Sequence, residues 1–251
     1  MKKALVLFAV IFVFIVMTGT VIFAEQKEQQ SEQNSNEQAI KAMLIRNNAT
    51  VESIKDIGDL YETVVNFSGH KNIVYITKNL QYIVIGAIFN PGTMENLTAA
   101  KYQEINKVDF SKIPLNDAIT ITKGNGSKKL VMLTDPDCPF CKQAFQWLMT
   151  QNNFTLYVFL VPIEQLHPQA KAKSVQILCS KDAVKALKEI EEGKTLKEKQ
   201  CEEGLKKLAK HALVGEILQL QGTPLFVLEN GQKVEGFIKN VLEKYFKGEL
   251  K

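Results

Sequence analysis

The sequence has little excess of either charge: 31 Lys and Arg stand against 27 Asp and Glu, a formal +4. Phosphate binding needs clustered basic patches rather than a small surplus, so a nucleic-acid partner is excluded. The Lys-rich stretch from Lys181 to Lys210 is interleaved with Asp182, Glu189, Glu191, Glu192, Glu198, Glu202 and Glu203. Mixed signs at helical spacing read as a solvated helix surface. Histidine is scarce too. The three present, His70, His167 and His211, share no ligand spacing and read as surface or cap residues without a catalytic role. No motif supports cysteine-protease chemistry, which needs a His positioned by a third group. Of the four cysteines, Cys179 and Cys201 lack the second close C-x2-C of a structural zinc site, so no metal is expected. No cofactor is implied and no internal repeat is evident. The single Trp147 is expected to pack in the core.

Residues 25–37 (EQKEQQSEQNSNE) contain no large apolar side chain and read as a disordered tether. What precedes them decides the compartment. Met1-Lys2-Lys3 is a short positive region, residues 4–23 carry no charge, and Ala24 stands before the abruptly polar Glu25. Residues 1–24 therefore read as a secretory signal peptide, or as an uncleaved membrane anchor, since the apolar run approaches the ~20 residues that span a bilayer. Either way the rest of the chain lies outside the cytoplasm, where disulfides persist.

From Gln38 the pattern turns globular, and 251 residues with 45% hydrophobic content suffice for one large or two small cores. A short amphipathic helix at residues 39–45 is followed by three strand-like runs, Tyr61 to Phe67, Asn72 to Lys78 and Gln81 to Phe89. So small an antiparallel sheet is marginal alone, which suggests a second copy as partner. Residues 94–108 form a helix candidate with few apolar anchors, plausible as an interdomain linker. Strands follow at residues 117–123, 129–134 and 155–161, with a helix at 139–150 between the last two. A helical stretch runs from about Gln169 to Gln219, interrupted near Gly193 and Lys199. Then comes a hairpin across Asn230-Gly231, and a closing helix over residues 240–247. This order predicts an α/β sheet with one antiparallel hairpin at its end.

Cys138-Pro139-Phe140-Cys141 falls between a buried strand and a helix. Cysteines three apart on a helix are close enough to bond. Cys138 is expected in the exposed first turn, where unpaired N–H groups and the helix dipole favour a thiolate. Pro139 suits the first helical position, and Cys141, one turn in, is the expected resolving thiol. Gly222-Thr223-Pro224 directly precedes a strand; a cis Pro224 here would present the Thr223 backbone beside the dithiol for an extended substrate. An even cysteine count in an exported chain favours pairing of Cys179 with Cys201, a structural staple of roughly 3 kcal/mol.

These residues carry a resemblance. Leu133-Thr134-Asp135 before the C-P-F-C, Ile177-Leu178-Cys179-Ser180-Lys181-Asp182, Gly193-Lys194 upstream of Cys201, and Gly222-Thr223-Pro224 leading into Leu228-Glu229-Asn230-Gly231 are similar to DsbC/DsbG-type periplasmic disulfide isomerases. The resemblance implies a thioredoxin fold with a helical insertion at about 165–220 within a catalytic domain of residues 113–251. It also implies a small α+β dimerisation domain at 38–93, a linker helix at 94–112, and a V-shaped homodimer with facing active sites. The implied site is Cys138 as nucleophile and Cys141 as resolving thiol, with Pro139, Phe140, Thr223 and Pro224 contacting substrate. The implied partners are misoxidised or unfolded secreted proteins and a DsbD-type membrane electron donor. Thr223 before the proline is similar to the isomerase branch rather than to the valine of strong DsbA-type oxidants. Pro139-Phe140 departs from the Gly-Tyr common in DsbC and is closer to the Pro-Tyr of DsbG. Isomerase or reductase of disulfides is the expected activity; the alternatives are a DsbG-like reductase of sulfenylated cysteines and a chaperone-like holdase.

Overall fold

The computed structural model describes residues 30–197 and 200–250. The expected signal peptide or anchor at residues 1–24 lies outside them. No helix among the described residues is long and apolar enough to cross a membrane. Two compact units divide the chain, the first ending at Thr98 and the second beginning at Ala99.

The first unit opens with helix α1, described over residues 30–45. This corrects the expected tether: residues 30–37 are helical. Their Glu and Gln are good helix formers, and a turn already anchored by packing propagates into such a sequence. The anchors are Ile40 and Leu44, four apart and buried against Tyr61, Val65, Val74 and Ile76. Strands β1 (Thr50–Asp56), β2 (Leu60–Phe67), β3 (His70–Thr77) and β4 (Ile83–Val84) form an antiparallel sheet in that order. Ser68 and Gly69, both at positive φ, make the two-residue turn that fixes Phe67 opposite His70. The strand expected over residues 81–89 is cut to the two residues of β4. Its apolar side chains are contiguous rather than alternating, and Tyr82, Ile83, Val84 and Ile85 all stay exposed, with nothing in their own unit to cover them.

Helix α2 (Leu97–Ile105) is shorter than the linker helix expected through residue 112. Asn106 turns its side-chain amide back to the Tyr102 carbonyl at 3.0 Å, and the Val108 N–H leaves to bond the Gly231 carbonyl at 3.0 Å. Two 3-10 turns follow, and the second, Leu115–Asp117, delays the next strand to Ile119.

The sheet of the second unit runs β5 (Ile119–Lys123), β7 (Phe154–Leu160), β6 (Lys128–Thr134), β8 (Leu225–Leu228), β9 (Lys233–Glu235). Only β6 and β7 are parallel. Both faces are covered, which is why the central strand reads as the unbroken apolar run Leu130-Val131-Met132-Leu133. Leu130 and Met132 pack among side chains of α3 (Pro139–Thr150), α5 (Ala183–Glu191) and α7 (Lys239–Lys247). Val131 and Leu133 pack with Val214 and Leu218 at the end of α6 (Glu202–Ile217). The helical insertion consists of α4 (Ala170–Cys179), α5 and α6. A disulfide joins Cys179 to Cys201. It seats against Gly204, where an added Cβ would stand 2.4 Å from the Cys179 sulfur. The mixed α/β architecture is the expected one.

Candidate active site

β6 delivers the chain to the site and α3 carries it away. Between them Asp135 is fully buried, and its backbone carbonyl accepts the Cys138 N–H at 3.1 Å. Cys138 is the N-cap of α3 with extended backbone, and Pro139 holds the first helical position. The insertion and α6 then bring Thr223 back: its peptide bond to Pro224 is cis, and its carbonyl accepts from the Cys138 thiol at 3.5 Å.

Cys138 is only 6% exposed, a correction to the exposed position expected for it, because the Thr223 segment covers the helix tip. Pro139 and Phe140 are exposed, Phe140 at 60%. The Cys138 pKa is lowered to about 5. The Cys141 thiol donating to it is the largest cause, ahead of the backbone N–H groups of Cys141 and Phe140 and the Thr223 side chain; burial opposes them. So the thiolate rests on named hydrogen bonds, with the second cysteine foremost. Cys141 is fully buried, and burial followed by its bond to Cys138 pushes its own pKa up. One thiol is poised to ionise and the other to keep its proton.

The charged surroundings of this pair are not evident from the sequence. The Asp135 carboxylate accepts from the Asp137 N–H at 2.8 Å and from the Ile163 N–H at 2.7 Å, and lies 3.0 Å from Nδ1 of His167. Asp137 is paired with Lys173 of α4. His167, by sequence a surface or cap residue, belongs instead to the surroundings of the dithiol, and Asp135 holds its pKa up. Glu191, whose charged neighbours in sequence predict a solvated helix surface, is 2% exposed. One of its carboxylate oxygens has no hydrogen-bond partner, and burial raises its pKa to about 8 despite the nearby Lys142 ammonium. It lines a 430 Å³ cavity with Ile121, Phe145, Gln146 and Met149. The available signal was its spacing: Glu191 lies four residues after Leu187, on the buried face of α5.

His211 is also no surface residue. It is fully buried, with Nδ1 accepting the Leu160 N–H at 2.9 Å and Nε2 donating to the Asp117 carbonyl at 2.8 Å. That joins α6 to β7 and to the turn before β5.

The thioredoxin-like domain family model matches residues 115–247, more than half of the chain. A Bordetella avium protein bearing the thiol:disulfide interchange name DsbC is 29% identical over 168 residues, 66% of this chain and 59% of the relative. The chain thus spans less than two thirds of the length of that relative. Escherichia coli K12 DsbC is 26% identical over 242 residues, 94% of this chain and 92% of its own. The crystal structure of a disulfide interchange protein from Neisseria gonorrhoeae is 30% identical, covering 55% of this chain and 99% of its own, with a TM-score of 0.49. The chain therefore belongs to the thioredoxin-like family, alongside the DsbC-type thiol:disulfide interchange proteins.

Proposed function

We propose that this chain is an exported, periplasmic thiol:disulfide oxidoreductase that isomerises or reduces non-native disulfides in secreted proteins. One observation carries the reading: the Cys138 sulfur sits at the tip of α3 beside the Thr223 carbonyl, with its pKa lowered to about 5. At neutral pH that sulfur is a thiolate, the species that attacks disulfides.

In the proposed cycle Cys138 attacks one sulfur of a substrate disulfide. The new S–S bond forms as the old one breaks, and the second substrate sulfur leaves as a thiolate. Another substrate thiolate then displaces Cys138, giving a rearranged disulfide and regenerating the enzyme. Alternatively Cys141 gives up its proton and attacks Cys138, which releases reduced substrate and leaves Cys138 and Cys141 oxidised. Burial keeps Cys141 protonated, so it stays silent in the first step. The Thr223 backbone offers pairing groups to an extended substrate segment next to cis Pro224, while exposed Phe140 and neighbouring Pro139 offer apolar contact. The reductive branch requires two electrons per turnover, and a DsbD-type membrane electron donor fits that requirement. A homodimer is proposed on separate grounds. Strand β4 is an edge strand, and Tyr82, Ile83, Val84 and Ile85 leave it apolar and exposed, a liability that a second copy would cover.

Cys138→Ser is expected to abolish reshuffling of a scrambled-disulfide substrate; retained activity refutes the assignment. Cys141→Ala is expected to accumulate covalent substrate complexes, and their absence argues against a resolving role. A second reading, reduction of sulfenylated cysteines by the same thiols, draws on Pro139-Phe140. A sulfenylated single-cysteine protein outcompeting the scrambled substrate would select it.

A further inference from the structure

The fully buried carboxylate of Asp135 serves two backbone N–H groups and one ring. The Asp137 N–H reaches Oδ1 at 2.8 Å; the Ile163 N–H and His167 Nδ1 reach Oδ2 at 2.7 and 3.0 Å. The backbone carbonyl of the same residue holds the Cys138 N–H. An unbroken chain of contacts therefore runs from the loop between β7 and α4, through one buried side chain, to the amide of the sulfur-bearing residue. A buried carboxylate is costly without a counter-charge, and among the described residues His167 is the cationic partner of Asp135. The imidazole side chain is 22% exposed, enough to exchange protons with solvent.

The charges facing this ring are mostly negative. Asp135 and Asp137 come from the turn after β6, and Cys138 from the tip of α3. Lys173 of α4 is taken up by Asp137, and Glu164 in the ring's own loop is paired with Lys171 at 3.1 Å. Glu191 of α5 shares the field of Asp135 and Cys138.

We propose that His167 is a positioning residue for the dithiol, an imidazolium that pins Asp135 and the turn leading to Cys138, with a proton occupancy that follows the redox state of Cys138 and Cys141. The idea rests on Cys138 being the reactive thiol. A dithiol reductant supplies two electrons, the Cys138–Cys141 bond breaks, Cys141 takes one proton, and Cys138 is left as a thiolate. That new negative charge strengthens the hold on the His167 proton. Between the two titration midpoints of the ring, reduction thus draws a further fraction of a proton from solvent. The Asp135 hydrogen bond is the largest influence raising the His167 pKa above its ordinary 6.5, with Cys138 adding to it and desolvation opposing.

The decisive measurement is an NMR pH titration of the His167 ring in the full chain, reduced and oxidised, with the resonance assigned by its loss in His167→Gln. The midpoint is expected to be higher in the reduced protein by about half a pH unit, the order for unit charges several ångströms apart in a partly solvated setting. Equal midpoints overturn the proposal and leave the Cys138 reading intact. Alkylation of Cys138 as a function of pH supplies the second test. His167→Gln is expected to raise the Cys138 midpoint by about the same amount, a roughly threefold loss of thiolate on the acid side, and His167→Arg to restore it. Equal effects of Gln and Arg would mean that the ring only fills space, and the proposal fails. A wild-type Cys138 that titrates like an ordinary thiol overturns both this proposal and the function on which it rests.

Discussion

Replacing Glu191 by Gln should stabilise the protein at neutral pH and do almost nothing in acid. The carboxyl is 2% exposed, has one oxygen without a partner, and is carried by burial from its ordinary 4.5 to about 8. A carboxyl raised in this way favours the folded state fully below the unfolded value, and that contribution is lost as pH climbs toward the folded value. At pH 7 the unfolded chain holds the group ionised while the folded one holds it protonated. The interval from 4.5 to 7, at 1.36 kcal/mol per pH unit, corresponds to about 3 kcal/mol against folding. Near pH 4.5 this cost almost vanishes. Glutamine has the same shape and does not titrate, so the stability difference between variant and wild type should swing toward Gln by about 3 kcal/mol over that range. For a protein of this size the swing corresponds to roughly 6–12 °C in melting temperature. Urea unfolding at a series of pH values, followed by the fluorescence of Trp147 on α3, measures it directly. Parallel stability curves for the two proteins would show that Glu191 is solvated or neutralised by Lys142, and would refute the argument.

Three further outcomes follow from the same geometry. Thr223→Ala removes a hydrogen bond that helps hold the thiolate, so the Cys138 midpoint in a pH-dependent alkylation assay should rise from about 5 by about one unit; an unmoved midpoint would assign the stabilisation elsewhere. Burial depresses the His211 pKa below its ordinary 6.5, so the stability that the neutral ring provides is present above that value and lost as pH falls beneath it. His211→Phe should flatten that acid limb while losing roughly 1–3 kcal/mol at neutral pH, because the Leu160 N–H and Asp117 carbonyl lose their partner; a limb of unchanged steepness counts against it. Gly204→Ala drives a methyl to 2.4 Å from the Cys179 sulfur and 3.0 Å from the Val175 carbonyl, and should cost about 1–3 kcal/mol in chemical denaturation. Wild-type stability in that variant would mean that the disulfide and α4 give way freely.

What the sequence determined by itself is the part of the molecule that neighbours along the chain decide. Strand, C-x-x-C and helix are contiguous, so the buried run of β6 followed by Pro139 at the first helical position was enough to set Cys138 at a helix tip. The Asn230-Gly231 turn and the Val-, Ile- and Tyr-rich runs of β2 and β3 were legible for the same reason. Only the tertiary structure decided which distant groups meet. Glu191 belongs to a charged stretch in sequence, yet the packing of α5 carries it inside; His167 looks unattached until Asp135, 32 residues earlier, is folded against it. The apolar run at residues 81–89 became a two-residue edge because a strand needs a surface to cover it, and its own unit supplies none. Local propensity is written in neighbouring residues, whereas burial and charge pairing depend on distances that exist only once the chain has closed on itself.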